Sequence, residues 1–81
     1  MYLEITTPDK KIFSGKVQLV QVPGSKGLFE VLNYHAPIIS TLTQGRVKIN
    51  DGGSDIFFKI GGGVIEVKDN NVIILAESII E

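Results

Sequence analysis

Any chemistry performed by this chain would have to involve His35, its only histidine, because the sequence contains no cysteine. Nucleophilic catalysis needs a serine or cysteine beside a base, and Ser40 is the nearest serine along the chain. Ser40, however, follows two isoleucines in a stretch typical of a strand, whereas an activated serine sits on a strained, exposed turn. We therefore predict that the chain has no catalytic residue.

A metal site is no better supported, because zinc and similar ions need several histidine, cysteine or carboxylate ligands close together. One histidine and nine scattered acidic residues provide no such spacing. The sequence therefore predicts neither a metal site nor a bound cofactor.

Two glycine clusters invite a test for phosphate or nucleic-acid binding. "GSKG", residues 24–27, has the G-x-x-G form that clamps a nucleic-acid backbone between helices, but strand-like sequence flanks it. "IGGGVIEV", residues 60–67, lacks the lysine, the hydroxyl and the following helix of a P-loop. We predict a hairpin with a solvated Lys26 at the first cluster. At the second, the glycines allow either the close approach of another segment or a bend in the strand.

The composition restricts the possible partners. A chain of 81 residues with a net charge of -1 is expected to form one domain with a thin core. Its lysines are scattered from Lys10 to Lys68, which argues against a nucleic-acid binder and against binding to an anionic membrane surface. No apolar run reaches the roughly 20 residues of a membrane helix, and the start lacks the pattern of a secretory signal. Contact with a membrane is therefore expected only through a partner.

The hydrophobic periodicity is that of strands. In "RVKIND", Val47 and Ile49 alternate with polar residues, and "YLEIT" repeats this pattern. "SDIFFKI" places Ile56, Phe58 and Ile60 on one face and leaves Phe57 as a candidate surface aromatic, for which exposure at an interface and burial both stay open. Turn signals at short intervals, including Gln44-Gly45 and Asp51-Gly52-Gly53, favour an antiparallel sandwich or barrel.

Two segments depart from simple alternation. In "KVQLVQV", residues 16–22, two pairs of apolar residues fall on opposite faces, which predicts either a bulge between Leu19 and Val20 or a strand covered on both sides. "VIILA", residues 72–76, is apolar throughout, so its outer face needs a cover, such as another subunit. The following residues to Glu81 could fray, continue a strand or start a helix.

Taken together, these segments resemble one family. "VPGSKGLFEVLNYHAPIISTLTQGRVKI", then "GGGVIEV", "NNV" and "ILAE", in that order, are similar to the N-terminal domain of the epsilon subunit of F-type ATP synthases, the delta subunit in mitochondria. This resemblance implies a single domain over residues 1–81, a flattened sandwich of two five-stranded antiparallel sheets. Because the chain ends at Glu81, the helical hairpin that commonly follows this domain is not expected.

The resemblance also implies a role and a set of contact residues. The domain would be a non-catalytic rotor subunit at the cytoplasmic face of the bacterial membrane, linking the gamma subunit to the c-ring so that ion-driven rotation is coupled to ATP synthesis. Matched by position, the expected gamma contacts are Thr7, His35, Ala36, Pro37, Ile38 and Ser40. The expected c-ring contacts are Lys26, Leu28, Phe29 and Glu30. Glu30 departs from the family, which commonly has a small residue, usually glycine, at that position.

Alternatives remain open for these residues. A lone histidine most often packs at a loop end and bonds to the backbone, and we favour His35 as a positioning residue at an interface that transfers no proton. Because neighbouring strand residues point to opposite faces, we expect Phe29 in the core and Leu28 on the partner surface. The alternative function is a free-standing β-sandwich module that binds a peptide or a sugar.

Overall fold

The computed structural model describes residues 1–80, and they form seven strands. The strands are β1 (Tyr2–Thr6), β2 (Lys11–Lys16), β3 (Leu19–Gly24), β4 (Gly27–Leu32), β5 (Ile38–Asn50), β6 (Asp55–Lys68) and β7 (Asn71–Ala76). Over this part of the chain, no helix is long and apolar enough to cross a membrane.

Hydrogen bonds join all seven strands into one sheet with the order β2-β1-β7-β6-β5-β3-β4. Neighbours are antiparallel except β1 and β7, which run parallel. The all-β prediction is therefore confirmed, but two separate five-stranded sheets are not. The expectation of purely antiparallel pairing is wrong at β1 and β7, because β1 docks along the last strand in the same direction.

The sheet folds over on itself along β5 and β6. A straight strand as long as β6, with its 14 residues, would span about 43 Å. The molecule measures only 27 × 25 × 20 Å. The buried positions also change parity within each strand, from Leu42 to Val47 and Ile49 in β5, and from Ile60 to Ile65 in β6. Each half of these two strands therefore faces the same core from opposite sides.

This folding creates a sandwich of two layers. The first layer contains β2, β1, β7, residues 63–68 of β6 and residues 38–42 of β5. The second layer contains β4, β3, residues 45–50 of β5 and residues 55–60 of β6. Gln44-Gly45 is therefore not the predicted turn; it lies inside β5, where the strand passes between the layers.

The prediction for Gly61 to Gly63 is confirmed in both of its forms. Gly62 and Gly63 have φ values of 118° and 154°, which side-chain-bearing residues rarely adopt. A Cβ atom on Gly63 would lie 2.2 Å from the carbonyl oxygen of Leu75. β6 therefore passes from one layer to the other at these glycines, where the backbone of β7 lies too close to leave room for a side chain.

One cluster of fifteen buried apolar residues fills the space between the layers. Leu3 and Ile5 from the first layer and Val47 and Ile49 from the second are completely buried, as the alternation in "YLEIT" and "RVKIND" predicts. Both layers therefore contribute to a single hydrophobic core.

The bulge predicted between Leu19 and Val20 is wrong. Both residues pair in regular register with Asn50 and Ile49, and the irregularity of β3 lies between Gln21 and Gly24. Val17 causes the apparent change of phase, because it precedes β3 and is buried where the chain passes from β2 in one layer to β3 in the other.

Candidate protein interfaces

The β3–β4 hairpin projects Lys26 and Leu28, two of the predicted c-ring contacts. A two-residue turn, Ser25-Lys26, joins the strands, and Lys26 is exposed at its tip. Leu28 has 68% of its surface exposed, although burying an apolar side chain usually stabilises a protein. The tip of the hairpin therefore offers an apolar side chain beside a cation.

Phe29 and Glu30 continue this hairpin with different roles. Phe29 packs against the core, as predicted. Its ring occupies the space beside Gly24, where a Cβ atom would lie 2.8 Å from Cε1 of the ring. Glu30 is exposed and accepts a hydrogen bond of 3.1 Å from the amide of Gln21. Of the four predicted residues, Phe29 thus belongs mainly to the framework that positions the others.

The tip of the β3–β4 hairpin is hydrogen-bonded to β5, the strand that contains two of the predicted gamma contacts, Ile38 and Ser40. The backbone N–H of Ser25 donates to the carbonyl oxygen of Thr41 at 3.1 Å, and the hydroxyl oxygens of the two residues are 2.7 Å apart. A shallow groove beside this contact is lined by Lys26, Leu28 and Phe29 and also by Ile38 and Ser40. The structure therefore joins residues of both predicted interfaces around one groove.

His35 lies in the connection between β4 and β5. Both its backbone N–H and its side chain form hydrogen bonds to main-chain carbonyl oxygens. The backbone N–H of His35 donates to the carbonyl oxygen of Leu32 at 3.2 Å. Its Nδ1 lies 2.7 Å from the carbonyl oxygen of Ala36, and because a carbonyl only accepts, Nδ1 must carry the proton of this bond. Ala36 and Pro37 are exposed beside it. The geometry is that of a loop-end histidine that holds the shape of an exposed edge.

A second contact fixes this connection from the side. Tyr34 has a φ of 62° and its N–H donates to the Oδ1 of Asn70 at 2.8 Å. Asn70, in the turn between β6 and β7, also has a positive φ, 61°. The connection is thus held at a defined position on the first layer.

Thr7 lies apart from the other predicted gamma contacts. It follows β1 and its N–H donates to the carbonyl oxygen of Lys10 at 2.9 Å, closing the turn to β2. β1 and β5 are separated by β7 and β6, so three strand spacings, about 14 Å, lie between them. The structure does not bring Thr7 to His35.

Sequence reasoning predicted only part of an apolar strip on the outer face of the first layer. The apolar strip consists of Ile39, Val64, Ile73 and Leu75, all exposed, with Ile39 at 71% and Leu75 at 55%. Val64 and Leu75 are directly paired, and Glu66 lies between Ile39 and Ile73. The signal was present in "VIILA", whose alternate residues point outward, but Ile39 and Val64 join them only through strand pairing.

The outer face of the second layer has a different character. Phe57 is 48% exposed, which decides between the two alternatives for this residue in favour of the surface, and the guanidinium carbon of Arg46 lies 4.6 Å from the centre of its ring. Such a stack is a cation–π contact. This face is therefore mixed, with cations around an aromatic ring.

The perturbed ionisable groups have structural explanations. Hydrogen bonds from the backbone N–H groups of Ser54 and Gly53 lower the pKa of the Asp51 carboxyl, which shapes the β5–β6 turn. Glu4, 2.9 Å from the ammonium of Lys11, raises the pKa of that lysine by hydrogen bonding and by its charge. Within residues 1–80, no group of three or more potential metal ligands occurs.

The sequence of the whole chain decides the family. The family model described as "ATP synthase, Delta/Epsilon chain, beta-sandwich domain" matches residues 1–81. The chain belongs to this family. An ATP synthase epsilon chain from Caulobacter vibrioides is 40% identical over 81 residues, covering all of this chain and 94% of the relative. An ATP synthase epsilon chain from Chlorobaculum tepidum is 42% identical, covering 95% of this chain and 89% of the relative.

Solved structures show the same fold. A chain in the mitochondrial ATP synthase of Euglena gracilis superposes with a TM-score of 0.89 at 25% identity, over 96% of this chain and 51% of that one. A chain in the central stalk and c-ring structure of the Tetrahymena thermophila mitochondrial ATP synthase gives 0.85 at 17% identity, over 99% and 65%. The β-sandwich of the delta/epsilon family is thus the fold of this chain, which is a non-catalytic subunit of ATP synthase.

Proposed function

We propose that this chain is a central-stalk subunit that links the gamma subunit of ATP synthase to the c-ring, so that ion-driven rotation is coupled to ATP synthesis. The observation that carries the proposal is the apolar strip, in a chain that matches the delta/epsilon family over its full length. An isolated small domain gains nothing from four exposed apolar side chains on one face, whereas a permanent subunit buries them against a neighbour.

The gamma subunit is assigned to the first layer. The proposed contacts are the fixed edge of His35, Ala36 and Pro37, with Ile38 and Ser40 beside it and the apolar strip adjoining it. Thr7 is proposed as a peripheral contact at the far side of the same layer. Two strands that pass through both layers, with one shared core, make the body stiff enough to transmit torque.

The c-ring is assigned to the β3–β4 hairpin. Lys26 and Leu28 at its tip make the direct contacts, Glu30 contributes an exposed carboxylate, and Phe29 anchors the hairpin to the core. Because Lys26 and Leu28 share a groove with Ile38 and Ser40, the proposed binding sites of the c-ring and the gamma subunit adjoin each other at this groove. The subunit then lies at the cytoplasmic face of the bacterial membrane and reaches that membrane only through the complex.

The proposal includes the architecture that carries these contacts, a single β-sandwich domain with two five-stranded layers. β5 and β6 contribute one half to each layer, which gives five strands in the first. In the second, the bridge between Ile60 and Ile79 supplies a short fifth member.

A pair of substitutions tests the two assignments separately. His35→Ala should weaken gamma binding by about fivefold, because an interface residue of moderate importance contributes about 1 kcal/mol. Leu28→Gln should instead weaken binding to the purified c-ring and leave gamma binding unchanged. Titration of each partner and melting curves of each variant measure these effects. The assignment of His35 is wrong if His35→Ala unfolds the domain or leaves gamma affinity unaltered.

A further inference from the structure

Three cations surround Phe57 on the outer face of the second layer. Arg46 pairs directly with Lys59 across β5 and β6, and Lys48 pairs directly with Phe57. These four residues, which we term the basic block, project from the same face because they alternate with the buried Val47 and Ile60 and the half-buried Phe58. The block therefore concentrates three of the eight basic residues of the chain on four neighbouring positions.

This arrangement has an electrostatic cost that no carboxylate among residues 1–80 neutralises. Like charges directly opposite each other in an antiparallel pair destabilise it, and Arg46 and Lys59 are such a pair. Within residues 1–80, the one ion pair is that between Lys11 and Glu4, so no carboxylate there neutralises the block. Arg46 is nevertheless held over the ring of Phe57, which leaves the edge of its guanidinium free to donate.

Two carboxylates beside the block on this face accept hydrogen bonds from neutral amides. Glu30 accepts a hydrogen bond from Gln21, which separates it from Lys48 in the strand order. Asp55 accepts a bond of 2.8 Å from the amide of Asn50. Both acids therefore flank the block without pairing with it, and they limit it on two sides.

We propose that the basic block binds an acidic polypeptide segment of a protein partner. The cations of Arg46 and Lys48 are two residues apart on one strand, about 7 Å, and this spacing matches alternate carboxylates on an extended chain. A narrow segment can place its carboxylates between Glu30 and Asp55, whereas a broad anionic membrane surface would bring its charges against both acids. The proposal does not depend on which layer binds gamma.

The test uses the complete chain and a labelled hexapeptide of alternating glutamate and leucine, with a glutamine-leucine hexapeptide as the neutral comparison. In titrations followed by ¹⁵N NMR, amide signals of residues 46, 48, 57 and 59 should shift with the acidic peptide alone. Binding measured by fluorescence anisotropy should weaken as salt rises, because exposed charges are screened.

Two double variants with equal net charge provide the control. Lys48→Gln with Lys59→Gln should weaken acidic-peptide binding by about fivefold or more, since two exposed ion pairs are lost. Lys10→Gln with Lys68→Gln, on the β1–β2 turn and the end of β6, should change it by less than about twofold. Melting curves verify that both variants fold. The proposal is overturned if both variants lose affinity equally, if the shifts fall elsewhere, or if phosphatidylglycerol vesicles bind and the peptide does not.

Discussion

The two outer faces of the sandwich are built from the same alternation and yet present opposite chemistry. The first layer exposes the apolar strip, with Glu4 and Glu66 in the row of Ile39 and Ile73. The second exposes the basic block around Phe57. β5 and β6 contribute to both faces, so one hairpin supplies two unlike surfaces.

The change of layer, more than composition, therefore determines what each surface can bind. In β5 the even-numbered Arg46 and Lys48 point outward from the second layer, whereas the odd-numbered Ile39 points outward from the first. The first face should bind by burial of apolar area and be nearly insensitive to salt. The second should bind by charge and be weakened by salt.

The largest expected effect comes from breaking the junction between the two faces. Gly63→Ala would place a Cβ atom against the carbonyl oxygen of Leu75 and force a side-chain-bearing residue into a φ of 154°. We expect a loss of about 3 kcal/mol or more in the free energy of unfolding, which lowers the melting temperature by at least about 12 °C. Thermal unfolding followed by circular dichroism measures this effect.

Gly53→Ala is the matched control. A Cβ atom on Gly53, in the β5–β6 turn, would meet nothing closer than 3.7 Å. Its melting temperature should remain within about 3 °C of the original protein. If both alanines were tolerated equally, the junction would not depend on glycine.

The next effect concerns the apolar strip. Leu75→Gln should weaken gamma binding by about thirtyfold, corresponding to about 2 kcal/mol for an apolar side chain that becomes buried. Phe57→Gln changes an apolar side chain of similar exposure, 48%, on the outer face of the second layer and should leave gamma affinity nearly unchanged. Isothermal titration compares the two variants. Equal losses would remove the distinction between the faces.

A smaller effect should appear on the face of the basic block. Lys59→Gln removes the like-charge pair with Arg46 and should raise the free energy of unfolding by about 0.2–1 kcal/mol at low salt. The gain should diminish at high salt, because screening already weakens the repulsion. Urea unfolding at two salt concentrations measures it. An unchanged or lower stability at low salt would show that the two cations do not repel in the folded chain.

The smallest effect concerns the turn that joins the two halves of the second layer. The backbone N–H groups of Ser54 and Gly53 lower the pKa of Asp51, so its ionised form stabilises the folded chain. This contribution is fully present above the usual carboxyl pKa, about 3.9, and is lost as the pH falls through the lower folded value. Asp51→Asn should therefore be less stable than the original near neutral pH, with the difference vanishing in acid. A difference that persists in strong acid would contradict this account.

The sequence allowed correct prediction of the strands whose inward and outward residues alternate without interruption. Val47, Ile49, Leu3 and Ile5 are buried as expected, and Phe57 is exposed. The changes of layer could not be predicted in the same way, since period-two alternation does not reveal where a strand bends. For that reason the pattern at Gln44-Gly45 indicates a turn, and that at Val17 a bulge, where the structure has neither.

For the same reason, only part of the candidate interfaces could be predicted from the sequence. Leu28 and Phe29 follow from local alternation, and the structure places one outside and one against the core. The apolar strip needs strand order, because Ile39, Val64 and Leu75 lie on three different strands. The separation of Thr7 from His35 also follows from strand order. Which residues distant in sequence are neighbours in the fold can be stated only once the strand pairing is known.

The role in the central stalk is tested by a titration of the purified chain with the gamma subunit from the same organism. We expect a stable one-to-one complex that persists at high salt and is weakened by Leu75→Gln. Failure of the two folded proteins to bind would contradict the proposed role in the central stalk.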